Sequence, residues 1–108
     1  MKWIIICFCF ILAAMQLSAQ AGQELFYADV TIRVEGGKYY LTGTGGVRGA
    51  PAGFNILESR DLKNWTLPAG AKDSVFMILT RGDNTFGTRG FWAPQIFKAD
   101  DTYYLTYT

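Results

Sequence analysis

An all-β fold built from a repeating four-stranded unit is predicted by three features of the sequence. Beyond its first twenty or so residues, the chain is rich in Tyr, Phe, Trp, Thr, Val, Ile and Gly and poor in the residues that build long helices. Its apolar residues alternate in short runs separated by glycine-rich turns. Residues 30–44 also align without gaps on residues 94–108, 64 positions later, with six identities in fifteen positions where chance gives about one. The identities are Ile32 with Ile96, Tyr39-Tyr40-Leu41-Thr42 with Tyr103-Tyr104-Leu105-Thr106, and Thr44 with Thr108.

The first copy reads as a hairpin. Thr31-Ile32-Arg33-Val34 alternates polar and apolar, Glu35-Gly36-Gly37 turns, and residues 38–44 return. A glycine- and proline-bearing loop over 45–53 leads to a third strand over 54–59. Asp61-Leu62-Lys63-Asn64-Trp65 is then a tight turn in which the Asp61 carboxylate accepts bonds from free backbone N–H groups and Trp65 folds back as an apolar plug. A fourth strand is predicted over 74–80, with a turn at Arg81-Gly82-Asp83-Asn84 before the pattern restarts. The Arg-Gly-Asp tripeptide there is read as ordinary turn chemistry.

Four strands per repeat, each unit opened by a hairpin, fit a β-propeller, whose blades stand around a central channel. A propeller closes with at least about four blades. The chain is therefore expected to be an incomplete fragment, holding the first blade plus the start of the second.

The first residues are set apart from this core. A short positive start at Lys2, the apolar run over residues 3–15 and cleavage-type endings at Leu17-Ser18-Ala19 and Ala19-Gln20-Ala21 make a signal peptide, assigned to residues 1–21. The run falls slightly short of the roughly 20 residues that span a bilayer, so cleavage is preferred to anchoring. Residues 22–108 are then the N-terminal portion of a propeller domain, secreted or periplasmic, with no membrane in the mature form. Both cysteines, Cys7 and Cys9, lie in the signal, and the chain has no histidine. The mature segment thus has no disulfide and no ordinary zinc site; no metal and no cofactor are expected. Without Lys2 it carries nine basic and nine acidic residues, a balance that offers nucleic acid no electrostatic footprint.

In a propeller the innermost strand of each blade starts near one mouth of the channel, where ligands collect. Two segments open such strands here: Tyr27-Ala28-Asp29-Val30 and Gly90-Phe91-Trp92-Ala93-Pro94. A flat indole at Trp92 can stack on the C–H face of a sugar ring, although packing between blades would use it equally well. Arg89 can donate a charge-assisted bond to a sugar hydroxyl. Phe91 reads as core.

Tyr27-Ala28-Asp29-Val30-Thr31-Ile32, the Gly-Lys-Tyr-Tyr-Leu hairpin, Glu58-Ser59-Arg60-Asp61-Leu62-Lys63-Asn64-Trp65 and Phe91-Trp92-Ala93-Pro94-Gln95-Ile96 follow one another in that order. Together they resemble family 43 glycoside hydrolases. That resemblance implies a five-bladed propeller acting on arabinose- and xylose-containing polysaccharides or oligosaccharides, with Asp29 as general base and Trp92 near the sugar subsite beside the cleaved bond. An inverting glycosidase needs one ionised carboxylate to take a proton from water and a protonated one to assist the leaving oxygen, about 6.5–9.5 Å apart. The resemblance places the acid, a glutamate, and the aspartate that tunes it in later blades. Glu24, Glu35 and Glu58 do not match those positions. Val30 departs from the family pattern, which has proline there, and so puts the backbone beside Asp29 in question. Two other functions stand beside this one: a non-catalytic carbohydrate-binding propeller, and a sialidase-like glycosidase suggested by the Ser59-Arg60-Asp61 turn leading to Trp65.

Overall fold

A computed structural model describes residues 24–71, 74–83, 85–87 and 89–108. The predicted signal peptide lies outside these residues. Among the described residues the structure consists of strands, turns and loops, with no helix.

β1 (Tyr27–Glu35) and β2 (Lys38–Gly45) form the predicted hairpin. Gly36 and Gly37, at φ 57° and 72°, fill a two-residue turn whose positive dihedrals match the twist of the strands it joins. The predicted third strand is split. β3 (Gly53–Asn55) pairs outward with β5 (Met77–Thr80), whereas β4 (Leu57–Ser59) pairs inward with β2 through Tyr39↔Ser59 and Leu41↔Leu57. Ile56 is the switch, its N–H donating to the Phe76 carbonyl at 3.0 Å. Across the break, the Thr42 hydroxyl donates to the Asn55 carbonyl at 2.7 Å, so a side chain takes the place of a ladder bond. Thr66 covers the outer edge of β4 by exchanging backbone bonds of 2.8 and 2.9 Å with Glu58. The fourth strand is consequently shorter than predicted: Ser74 and Val75 bend, and pairing starts at Met77.

Leu41, Leu57 and Trp65 form the buried core of this unit, with Leu25, Tyr27, Tyr39 and Leu67 packed against it. Trp65 folds back as predicted because the preceding turn is closed by Asp61. Its Oδ1 accepts from the N–H groups of Lys63 and Asn64 at 2.9 and 2.8 Å and from the Ser59 hydroxyl at 3.0 Å. These bonds favour the ionised carboxylate and hold Asp61 far below the usual carboxylate range.

β6 (Gln95–Ala99) and β7 (Thr102–Thr106) form a second hairpin, with Ile96↔Leu105 standing where Ile32↔Leu41 stands in the first. Contacts at both ends tie it to the first unit. Phe54, fully buried, meets Phe91 edge-on at 6.0 Å and Tyr107 at 5.6 Å. At the other end Glu35 accepts a hydrogen bond from the Tyr103 hydroxyl and pairs with Lys98 at 3.5 Å. Between these ties lies a cleft of about 450 Å³, lined by Tyr40, Ile56, Ile78, Ile96 and Leu105 among others.

Candidate active site

The β1–β2 ladder slips one residue between Ala28 and Thr31, so that Asp29 and Val30 together oppose Gly43. This β-bulge rotates Asp29 out of the regular alternation and puts its backbone at φ 47°, a left-handed conformation that costs an ordinary L-residue energy. Gly43 is required opposite it. A Cβ there would stand 2.7 Å from the Ala28 carbonyl oxygen and 3.2 Å from the Tyr27 Cβ. The start of β1 is further held by Tyr27, whose hydroxyl donates to Asn55 Oδ1 and whose phenol is pushed up by burial.

The start of the second hairpin repeats this backbone. Trp92 and Thr108 exchange two backbone bonds of 2.9 Å, as Ala28 and Thr44 pair in the first copy, and the next pair is Gln95↔Thr106, the counterpart of Thr31↔Thr42. Ala93 and Pro94 thus form the same two-residue bulge, with Ala93 at φ 46°. One bulge continues into Val30 and the other into Pro94, and the residues before them, Asp29 and Ala93, have nearly the same φ. The difference lies in surroundings: Pro94 is fully buried, and Val30 is 48% exposed.

A single hydroxyl joins the two bulges. Thr44 Oγ1 donates to Asp29 Oδ2 at 2.9 Å and accepts from the Ala93 N–H at 2.8 Å. Trp92, next to Ala93, is 57% exposed and folds its indole back toward Gly90, where an added Cβ would lie 2.6 Å from the indole nitrogen. Its neighbour Phe91 is half-buried and joins the Phe54–Tyr107 cluster. Arg89 is exposed on the loop leading to Gly90. The structure therefore gathers Asp29 and the backbone beside Trp92 into one surface where the two hairpins begin. Thr44 was visible in the sequence only as one identity of the repeat.

Glu58 and Glu35 are both engaged by neighbouring side chains. Glu58 takes both carboxylate oxygens to Lys38, at 2.9 and 3.0 Å. Glu35 is lowered from the ordinary glutamate value first by the Tyr103 hydrogen bond, then by Arg33 and Lys98. The lowered Glu35 is the opposite of a carboxylic acid kept protonated near neutral pH.

The model of glycosyl hydrolases family 43 matches residues 23–108. The chain belongs to glycosyl hydrolase family 43. Among relatives, it is 37% identical over 83 residues to the "Putative beta-xylosidase" of Escherichia coli (strain K12), a match covering 77% of this chain and 15% of that protein. Among solved structures, an endo-1,4-beta-xylanase from Bacteroides thetaiotaomicron superposes with a TM-score of 0.65 at 36% identity, over 78% of this chain and 26% of that one. The chain thus spans about a quarter or less of the length of these family 43 relatives. Its four-stranded unit and second hairpin are the first blade and the start of the second blade of the propeller.

Proposed function

We propose that the protein to which this family 43 chain belongs hydrolyses O-glycosidic bonds in xylose- or arabinose-containing polysaccharides or oligosaccharides, with inversion at the anomeric carbon and Asp29 as the general base. The observation that carries this reading is the asymmetry of the two bulges. The same backbone accepts alanine at position 93, so the bulge does not require a carboxylate, yet the first copy places one there, exposed at the start of its strand.

In the proposed step Asp29 takes a proton from water as the water oxygen bonds to the anomeric carbon. The glycosidic bond breaks on the opposite face, and its oxygen leaves with a proton from a carboxylic acid. With Glu35 and Glu58 held in ion pairs, that acid is assigned to another blade. Trp92 offers its exposed indole to the sugar ring, and Arg89 a guanidinium to its hydroxyls. The names of the two relatives, a beta-xylosidase and an endo-1,4-beta-xylanase, favour xylan-type substrates.

Export is part of the same proposal, because polymeric substrates of this kind are met outside the cytoplasm. Amino-terminal sequencing of the mature protein should begin just after Ala21. An intact Met1 would exclude it.

Asp29→Asn tests the reaction. In the protein as encoded, turnover of xylo- and arabinoxylo-oligosaccharides should fall by about 10²–10⁴-fold, the usual contribution of a positioned acid or base. Sugar binding should persist, and the first product of the unaltered enzyme should carry the inverted anomer by NMR. Undiminished turnover would remove Asp29 from the base role; binding without any turnover in the unaltered protein would leave the carbohydrate-binding alternative.

A further inference from the structure

We propose that Thr44 is a positioning residue for Asp29, setting the plane of its carboxylate from the backbone that opens the second blade. This inference rests on the assignment of Asp29 as base and adds to it the group that orients the base.

The direction of each bond follows from chemistry. A backbone N–H can only donate, so at 2.8 Å from the Ala93 nitrogen the Thr44 oxygen must accept. Its one proton is then free to point at Asp29 Oδ2, 2.9 Å away, and an ionised carboxylate can only accept it. A hydroxyl placed between two such partners has no alternative orientation. Among the described residues, Thr44 is also the carboxylate's only hydrogen-bond partner, and it engages Oδ2 alone. Oδ1 remains to take a proton from water.

The strained backbone explains why such an anchor is needed. At φ 47°, Asp29 sits on a bulge whose exposed side chain has little packing to define its rotamer. Thr44 supplies the missing constraint from β2, opposite Ala28 in the ladder. Its fixed point on the other side is Ala93, 49 residues further along the chain and adjacent to Trp92. The base and the aromatic platform are thereby held in one frame, although they belong to different blades. The second copy lacks this device. Thr108 stands in Thr44's place, but Ala93 stands in Asp29's and offers nothing to orient.

The test compares Thr44→Val, which keeps the branched shape without the hydroxyl, with Thr44→Ser, which keeps the hydroxyl, in the protein as encoded. Misorienting the base should lower kcat of Thr44→Val by about 10- to 100-fold, with KM within about twofold because substrate contacts are untouched. Thr44→Ser should retain kcat within about threefold of the unaltered protein. If the valine variant does not fold, Thr44→Ala is read by the same split between kcat and KM. Unchanged kcat in Thr44→Val, equal losses in valine and serine variants, or a loss confined to KM would each overturn the proposal. Asp29→Asn is measured alongside. If it retains full turnover, the base assignment itself has failed; if it is inactive while Thr44→Val turns over normally, only the role of Thr44 has failed.

Discussion

Asp29 and Ala93, 64 residues apart, occupy the same left-handed position of the same bulge, at φ 47° and 46°. An alanine side chain is therefore compatible with this backbone. Asp29→Ala is expected to melt cooperatively close to the unaltered protein while losing turnover, separating the chemical role of the carboxylate from any structural one. Asp29→Gly, free of a Cβ at positive φ, should melt at a higher temperature than Asp29→Ala. Thermal denaturation of the two variants beside an activity assay checks both expectations. Unfolding of Asp29→Ala would show that the carboxylate holds the bulge.

Gly43 faces that bulge with no room for a side chain. A Cβ would lie 2.7 Å from a backbone oxygen that cannot swing aside, so Gly43→Ala has to open the β1–β2 ladder or flatten the bulge. A destabilisation of about 1–3 kcal/mol is expected, the range for overpacking a filled site. Activity should fall further than stability does, because Asp29 moves with the bulge. Chemical denaturation and kcat on the same sample measure the two effects, and an active variant of normal stability would contradict the close approach.

Phe54 is the central member of the junction between the blades, at 6.0 Å from Phe91 and 5.6 Å from Tyr107. Phe54→Ala should cost about 3–5 kcal/mol, as large-to-small changes of buried aromatics do. Phe91→Ala, only partly buried, should cost less. Because Phe91 precedes Trp92, both variants should also weaken sugar binding. Urea midpoints and oligosaccharide affinities for the pair rank the two contributions.

Asp61 makes the stability of the first blade sensitive to acid. Its carboxyl is lowered in the folded state chiefly by the Asn64 N–H and side-chain amide, followed by the Lys63 N–H. A depressed folded value means that the contribution is present above the unfolded value of about 3.9 and is lost as pH falls below it. Asp61→Asn removes this titration, so the gap in melting temperature between the two proteins should narrow steadily from pH 5 toward pH 2. A gap independent of pH would show that the turn does not depend on the ionised carboxylate.

Much of the first blade is legible in the sequence because its determinants are local. Alternation over residues 31–34, the Gly36-Gly37 turn and the Asp61 turn are each specified by neighbours in the chain, and the structure forms all three. The third strand was legible only in part. Its run Phe54-Asn55-Ile56-Leu57-Glu58-Ser59 cannot reveal that Ile56 divides it between two pairing partners, since that division depends on where β5 arrives from residues 77–80.

The candidate site divides in the same way. The repeat, the family resemblance, and Asp29 and Trp92 as residues heading two strands can be read along the chain, because motif order and strand periodicity are local. That both hairpins open on a bulge, with Asp29 and Ala93 at nearly the same φ, and that Thr44 links the two residues emerge from the packed fold. Distance along the chain separates the two kinds of feature. A hydrogen bond joining residues 49 positions apart exists only after two hairpins have packed, and the Phe54, Phe91 and Tyr107 rings that seat them come from three separate segments.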